Sequence, residues 1–383
     1  MRRVLRLSAI CGLVWLTAAG RGAPVPAVSD EQVREVHRSA LLIDLHNDVT
    51  SETVKGLNIG LRRSKGHTDL PRLREGGVGA VFFAAYVSKR YVPMGRSAHR
   101  LLEMIDTIRH DIVEKHPDDF VLALTADDIE RAHREGKIAA LIGIEGGHAI
   151  EDSLRILRDS YALGVRYMTL THSNTNNWAD SSGDINDPKV RHHGGLTKFG
   201  REVVREMNRL GMMVDISHVS DETFWDVLEV SRAPVIASHS SCRAISNIAR
   251  NMSDEMIRAL AEKGGVIHIN FGCEFLSQAS ADASPYFNPK ARGTDPRKVP
   301  PATLDDVVAH IDHVVKLVGV DAVGIGSDFD GVSCTPVGLE DVSKFPNLTR
   351  ALLEKGYSAE DIRKIYGGNT LRVMRAVEQA AGR

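Results

Sequence analysis

Cysteine is scarce in this chain of 383 residues: there are four, and Cys11 lies in an N-terminal apolar stretch, which leaves Cys242, Cys273 and Cys334 for the rest. Three thiols are too few for a disulfide scaffold in a domain of this size; one bridge can form, and an odd thiol is then left over. No Cys-x-x-Cys spacing occurs, so neither a structural zinc knuckle nor a redox motif is indicated. Charge of one sign is also missing. The formal net charge is -2, and Lys and Arg are scattered rather than bunched, which argues against nucleic acid or another polyanion as partner. No low-complexity tract or composition break divides the chain. No Gly-x-Gly-x-x-Gly follows the first apolar run, which disfavours an open dinucleotide-binding sheet.

Long apolar runs are absent as well. The stretch from Leu7 to Ala19 has 13 residues, too few to span a bilayer comfortably. With Arg2, Arg3 and Arg6 before it and small residues around Ala18, Ala19 and Gly20 after it, residues 1–23 read as a secretory signal, and residues 24–383 as one exported domain, periplasmic or secreted. Cys11 follows Ile10 rather than a small residue and makes a poor lipid-attachment site, and the C-terminus carries no apolar tail of the kind that signals a glycolipid anchor.

What is present is an alternation. Apolar, β-branched runs at Leu41–Leu45, Ala80–Val87, Ile138–Ile144, Val165–Leu170, Met212–Ile216, Val235–Ala237, Val266–Ile269 and Ala322–Ile325 alternate with amphipathic stretches such as Ala98–Lys115, Ser153–Leu163, Leu196–Leu210, Ser220–Val230, Ser253–Lys263 and Thr303–Val318. Strands of this kind, separated by helices, form a parallel sheet covered on both faces, and eight units predict a closed (β/α)8 TIM-like barrel. The tail from Leu348 adds C-terminal helices, the second starting near Asn369.

In such a barrel the chemistry sits at the carboxyl ends of the strands. Strand one, Leu41-Leu42-Ile43-Asp44-Leu45-His46-Asn47-Asp48, ends on two metal-ligand types at i and i+2, which share one face of a strand and can grip one cation. Glu145 ends the third run, His172 the fourth, His218 the fifth, His239 the sixth and Asp328 the eighth, with Asp330 close behind. Quieter readings exist for each. Glu145 in its glycine turn could cap a helix, His218 could be a hydrogen-bonded residue beneath the next helix, and Arg250 could simply lead into Ser253, an N-cap. His268, inside a run, reads as a satisfied interior residue, and His192 and His193 as exposed loop histidines.

The constellation resembles the zinc-dependent membrane (renal-type) dipeptidases of the amidohydrolase-like barrels. The segments that carry the resemblance are Asp44-Leu45-His46-Asn47-Asp48, Gly143-Ile144-Glu145-Gly146, Arg166-Tyr167-Met168-Thr169-Leu170-Thr171-His172, Asn177-Trp178-Ala179-Asp180, Ile216-Ser217-His218-Val219-Ser220, Ala237-Ser238-His239-Ser240-Ser241, Arg250-Asn251 and Gly326-Ser327-Asp328-Phe329-Asp330-Gly331, in order over most of the chain. It implies two zinc ions, one held by His46, Asp48 and Glu145 and the other by Glu145, His218 and His239. A carboxylate has two oxygens and can bridge cations about 3.5 to 4 Å apart, and a water between them ionises near neutral pH to a bridging hydroxide. Asp44 could orient His46 or point into the core.

The resemblance further implies that His172 polarises the scissile carbonyl, that Arg250 grasps the substrate carboxylate as a guanidinium fork, and that Asp328 either shuttles a proton or holds the substrate ammonium. Dipeptides with free termini, including pairs with a D-residue in second place, are the expected substrates, and a homodimer the expected assembly. Two alternatives stay open. One is a related binuclear hydrolase of N-acyl amino acids, lactams, lactones or another small amide; the other is an exported metal- or peptide-binding protein without catalysis.

Overall fold

Strands that are apolar at nearly every position need cover on both faces, and the chain meets that need by closing its sheet on itself. The computed structural model describes residues 27–382 apart from 294, 296, 297 and 299, so the expected signal segment, residues 1–23, lies outside the described residues. Its strands are β1 (Leu42–Asn47), β2 (Val78–Tyr86), β3 (Phe120–Leu122), β4 (Ile138–Glu145), β5 (Val165–Thr169), β6 (Met213–Asp215), β7 (Ile236–Ser240), β8 (Val266–Ile269) and β9 (Val323–Ile325). Eight of them pair in parallel in the order β1-β2-β4-β5-β6-β7-β8-β9. The seam is closed just past β9, where Asp328 N–H donates to the His46 carbonyl (3.0 Å) and Asp48 N–H to the Phe329 carbonyl (2.9 Å). The predicted (β/α)8 barrel is therefore the observed one.

β3 is the strand the sequence reading lacks. It pairs with Ile138–Ala140, the first half of β4, while β5 pairs from Ile142 onward along the same strand. Three residues give too short a run to register as a strand. The helix expected over Ala98–Lys115 is α-helical over Ser97–Asp106, after which its hydrogen bonding widens to π-type over Thr107–Glu114. Helices at Asp30–Ser39 and Ala126–Arg134 are additional to the expected ones.

Local chemistry starts the helices sharply. Ser153, Thr197, Ser220, Ser253 and Thr303 each accept a first-turn N–H at a helix start, so the loops before them end where the strand-to-helix geometry requires. The C-terminal helix Asn369–Ala380 packs at the other end of the barrel. Its Asn369 amide donates to the Val320 and Val323 carbonyls at the entry to β9, and Leu371, Val373, Met374 and Val377 join a buried cluster with Ile43, Phe82, Leu141, Tyr167 and Ile236. With that end plugged, the carboxyl ends of the strands are the open face.

Candidate metal centre

Register decides which side chains meet. β2 and β4 are matched through Tyr86↔Glu145, β4 and β5 through Glu145↔Thr169, and β5 and β6 through Thr169↔Asp215, so Glu145 stands in a row of strand ends. His46 and Asp48 arrive from β1, His239 from β7, and His172, His218 and Asp328 from the turns just past β5, β6 and β9. Two of these turns hold their residues in the left-handed region, with φ of 69° at His218 and 61° at Asp328. L-residues adopt that conformation at a cost of order 1–3 kcal/mol, and it persists only where surrounding contacts fix it. At His218 the contacts are visible: its carbonyl accepts from Ser182 N–H (2.8 Å), Ser182 Oγ (3.0 Å) and Ser181 Oγ (3.2 Å).

One oxygen of Glu145 is the hub. Oε1 lies 3.0 Å from His218 Nε2, 3.4 Å from His239 Nε2, and 3.7 Å from both His46 Nε2 and His172 Nε2. His46 Nε2 also lies 3.2 Å from Asp48 Oδ2, and the His218 and His239 Nε2 atoms are 3.1 Å apart. Two ligands about 2.0–2.1 Å from one tetrahedral ion sit roughly 3.3 Å from each other, so these separations suit shared cations. Among the described residues, three overlapping groups have ligand atoms close enough for an ion: His46, Glu145 and His239; Glu145, His172 and His218; and His46, Asp48 and Asp328.

The five residues expected as ligands thus converge. His172 stands as near Glu145 as His46 does, but its side chain is 21% exposed where those of His46 and His239 are fully buried. It is the imidazole open to a bound molecule. Asp328 accepts from Asn270 Nδ2 at 2.7 Å. Arg250 is buried, with Nη1 on Ser240 Oγ (2.9 Å) and Nη2 on the His239 carbonyl (3.0 Å), while its Nε–H is enclosed without a partner.

The electrostatics favour a cation. Burial alone would lower the His46 pKa, but the carboxylates of Asp48, Glu145 and Asp328 carry it up to about 10. Burial raises Glu145 well above the carboxylate range and Asp328 to about 7. His218 and His239 are driven well down by burial and by the charges of Arg250 and His46, and His172 falls to about 3 through burial and Arg250. Three carboxylates and several neutral imidazoles crowd one buried site, where positive charge is wanted. Metal ions there would satisfy the acids and use the imidazole lone pairs. The orphaned, buried His46 Nε2 points the same way.

Asp44 does not orient the His46 ring. Its carboxylate accepts from Ser327 N–H (2.8 Å) and Ser327 Oγ (2.6 Å) and fastens β1 to the end of β9. The group on His46 Nδ1 is instead the Tyr167 hydroxyl, at 2.7 Å. Tyr167, Ser238, Asp215 and Asn270 were not assigned roles from sequence, although Tyr167 and Ser238 lie inside the motifs quoted above. His192 is half-buried, 3.8 Å from Asp184, rather than an open loop histidine. Among the described residues, Cys273 and Cys334 form the one disulfide, and Cys242 is the buried odd thiol.

A family model for membrane dipeptidases, peptidase family M19, matches residues 30–383. Dipeptidase verJ of Clonostachys rogersoniana is 40% identical over 356 residues, which cover 89% of this chain and 85% of that protein. Among solved structures, the probable dipeptidase PvdM from Pseudomonas aeruginosa superposes with a TM-score of 0.81 at 27% identity, over 92% of this chain and 98% of that one. A metallo peptidase from Rhodobacter sphaeroides, liganded with a phosphinate mimic of the dipeptide L-Ala-D-Ala, gives a TM-score of 0.76 at 27% identity, over 88% of this chain and 99% of that one.

Proposed function

The chain belongs to the membrane dipeptidase family, peptidase family M19, and is a metal-dependent dipeptidase; from that premise we propose that it works with two zinc ions bridged by Glu145. The observation that carries the proposal is the position of Glu145 Oε1, within 3.0–3.7 Å of four imidazole nitrogens from four different strand ends. His46 and Asp48 complete one ligand set and His218 and His239 the other. Imidazole and carboxylate donors suit zinc. When bound, such a pair of ions supplies an acidified water as nucleophile and a Lewis acid for the scissile carbonyl.

The remaining steps belong to side chains. His172, held neutral, offers an N–H to the carbonyl oxygen as negative charge develops there, a donor role worth about 3–4 kcal/mol. Asp328 is fixed at one oxygen by Asn270, and its other oxygen takes the proton released by the attacking water and hands it to the leaving nitrogen. The free Nε–H of Arg250 is the donor left for the substrate's carboxylate. A longer peptide would leave that buried cation unpaired, which confines the enzyme to dipeptides. Acceptance of a D-residue in second place is supported by the L-Ala-D-Ala mimic bound to the Rhodobacter sphaeroides relative. Export is supported by the Cys273–Cys334 disulfide, since such bonds persist in oxidising compartments.

A panel of L,L and L,D dipeptides tests the substrate class when each is offered alongside its C-terminal amide to zinc-loaded protein. Turnover of free dipeptides with loss of roughly 100-fold or more in kcat/KM on amidation is expected, in line with the rejection seen when a buried polar group loses its partner. Equal rates for the amides would remove the clamp and favour a general amide hydrolase.

A further inference from the structure

The Asn177-Trp178-Ala179-Asp180 motif supplies no group to the site, yet the chain that leaves it runs between two of the site's turns. The His172 and His218 rings lie 4.4 Å apart at their centroids and come from different strand ends. Residues 180–184 are bonded to the backbone around each. On one side, Ser182 N–H and Oγ donate to the His218 carbonyl (2.8 and 3.0 Å), and the Asp180 carbonyl accepts from Ser220 N–H (2.9 Å) and Thr223 Oγ1 (3.0 Å). On the other, Ser181 N–H donates to Thr175 Oγ1 (3.0 Å), the Asp184 carboxylate accepts from Thr175 N–H (2.7 Å) and Oγ1 (2.8 Å), and a Cβ on Gly183 would stand 2.6 Å from Ser173 Cα. The Asp180 carboxylate holds this wedge from behind, accepting from His193 N–H (2.9 Å to each oxygen), Gly194 N–H (2.8 Å) and Gly195 N–H (2.9 Å). Asp180, Ser181 and Ser182 are all buried.

Ser181 Oγ touches both turns. It is hydrogen-bonded to the His172 carbonyl and lies 3.2 Å from the His218 carbonyl. A hydroxyl has one proton to give. The His218 carbonyl already has two donors on Ser182, whereas among the described residues the His172 carbonyl has no donor besides Ser181. The Ser181 proton therefore serves His172, and its loss would slacken that turn while the His218 turn stays held.

We propose that Ser181 is a positioning residue that fixes the His172 imidazole relative to the metal ligand His218. The inference rests on the reading of His172 as donor to the scissile carbonyl. Truncation of Ser181 then acts on turnover through His172 and leaves the ions in place. A displacement of about 1 Å at reacting groups costs about 100-fold.

Zinc-loaded wild type, Ser181→Ala, His172→Gln and the double variant, assayed on a free L,L dipeptide, form a double-mutant cycle, with zinc content and melting midpoint measured on each. Gly183→Ala, at an exposed position whose added Cβ presses on the His172 turn from the same wedge, replaces Ser181→Ala should that variant fold poorly. The expected result is a loss of about 10- to 100-fold in kcat, with KM within about threefold and zinc content unchanged, and a further loss of less than about threefold once His172 is already Gln. Wild-type kcat in the variant would overturn the inference. So would an equal fold-loss with and without His172, which marks a general structural role, or loss of a zinc ion, which places the effect on His218. Loss of an ion from His172→Gln alone would instead sink the donor reading beneath it.

Discussion

At the scale of single residues, His172 separates chemistry from ligation most cleanly. His172 is as close to Glu145 as His46 is, so distance alone would make it a ligand, while its exposure and its neutral ring fit the proposed donor to substrate. His172→Gln is therefore expected to lower kcat by about 100- to 1,000-fold with zinc content unchanged. Loss of one ion per chain, read by elemental analysis, would make it a ligand. Gly331 is required by close approach: a Cβ there would stand 2.2 Å from Asp328 Oδ1 and 2.4 Å from Asp48 Oδ2. Gly331 is exposed, so Gly331→Ala should fold normally and still lose about 100-fold in kcat, the scale of a displacement of about 1 Å at reacting groups. Wild-type turnover in that variant would mean that neither carboxylate needs its observed place. The candidate ligands were legible in sequence as His, Asp and Glu side chains at the ends of largely apolar runs, and as a set through the family resemblance. Tyr167 was not, because an aromatic residue inside a strand reads as core, and only the partner on its hydroxyl distinguishes the two cases.

Among elements, the loops after β8 and β9 are built as a pair. Asn270, just past β8, holds Asp328, just past β9, and a few residues further on Cys273 and Cys334 join the same two loops covalently across 61 residues of sequence. A cross-link of that length stabilises by about 2–4 kcal/mol, mostly by restricting the unfolded chain. The double variant Cys273→Ala with Cys334→Ala is expected to unfold at lower denaturant by that free energy, and to lose kcat beyond it if the loops lose register. An unchanged unfolding midpoint would deny the bridge a stabilising part. The sequence allowed one bridge and an odd thiol but not their identity, since pairing depends on which loops the barrel brings together. The strands were legible by their uninterrupted apolar runs and the helices by their Ser and Thr caps, whereas β3 offers three residues whose pairing exists only because β5 starts late along β4.

For the whole molecule, the packing around the barrel predicts a loss of stability in acid. His310 is buried between Cys242 N–H, which donates to its Nδ1 at 3.0 Å, and the Leu276 carbonyl, which accepts from its Nε2 at 3.0 Å. Burial lowers its pKa from 6.5 to about 4. The unfolded state then binds the extra proton between those values, so this contribution to stability is complete above pH 6.5 and is lost as pH falls to 4, up to about 3 kcal/mol. Unfolding free energies at pH 7 and pH 5 should differ less in His310→Gln than in wild type; equal differences would remove His310 as a source. The barrel itself was predictable from eight alternating units, but the pocket walls were not, because the loops that form them carry no periodic pattern. The central claim is that one carboxylate joins two ions at the open end of this barrel. Zinc content per chain, measured by elemental analysis on wild type and on Glu145→Gln after identical loading, tests it most directly: two ions falling to one or none is the expected result, and two ions retained by Glu145→Gln would contradict it.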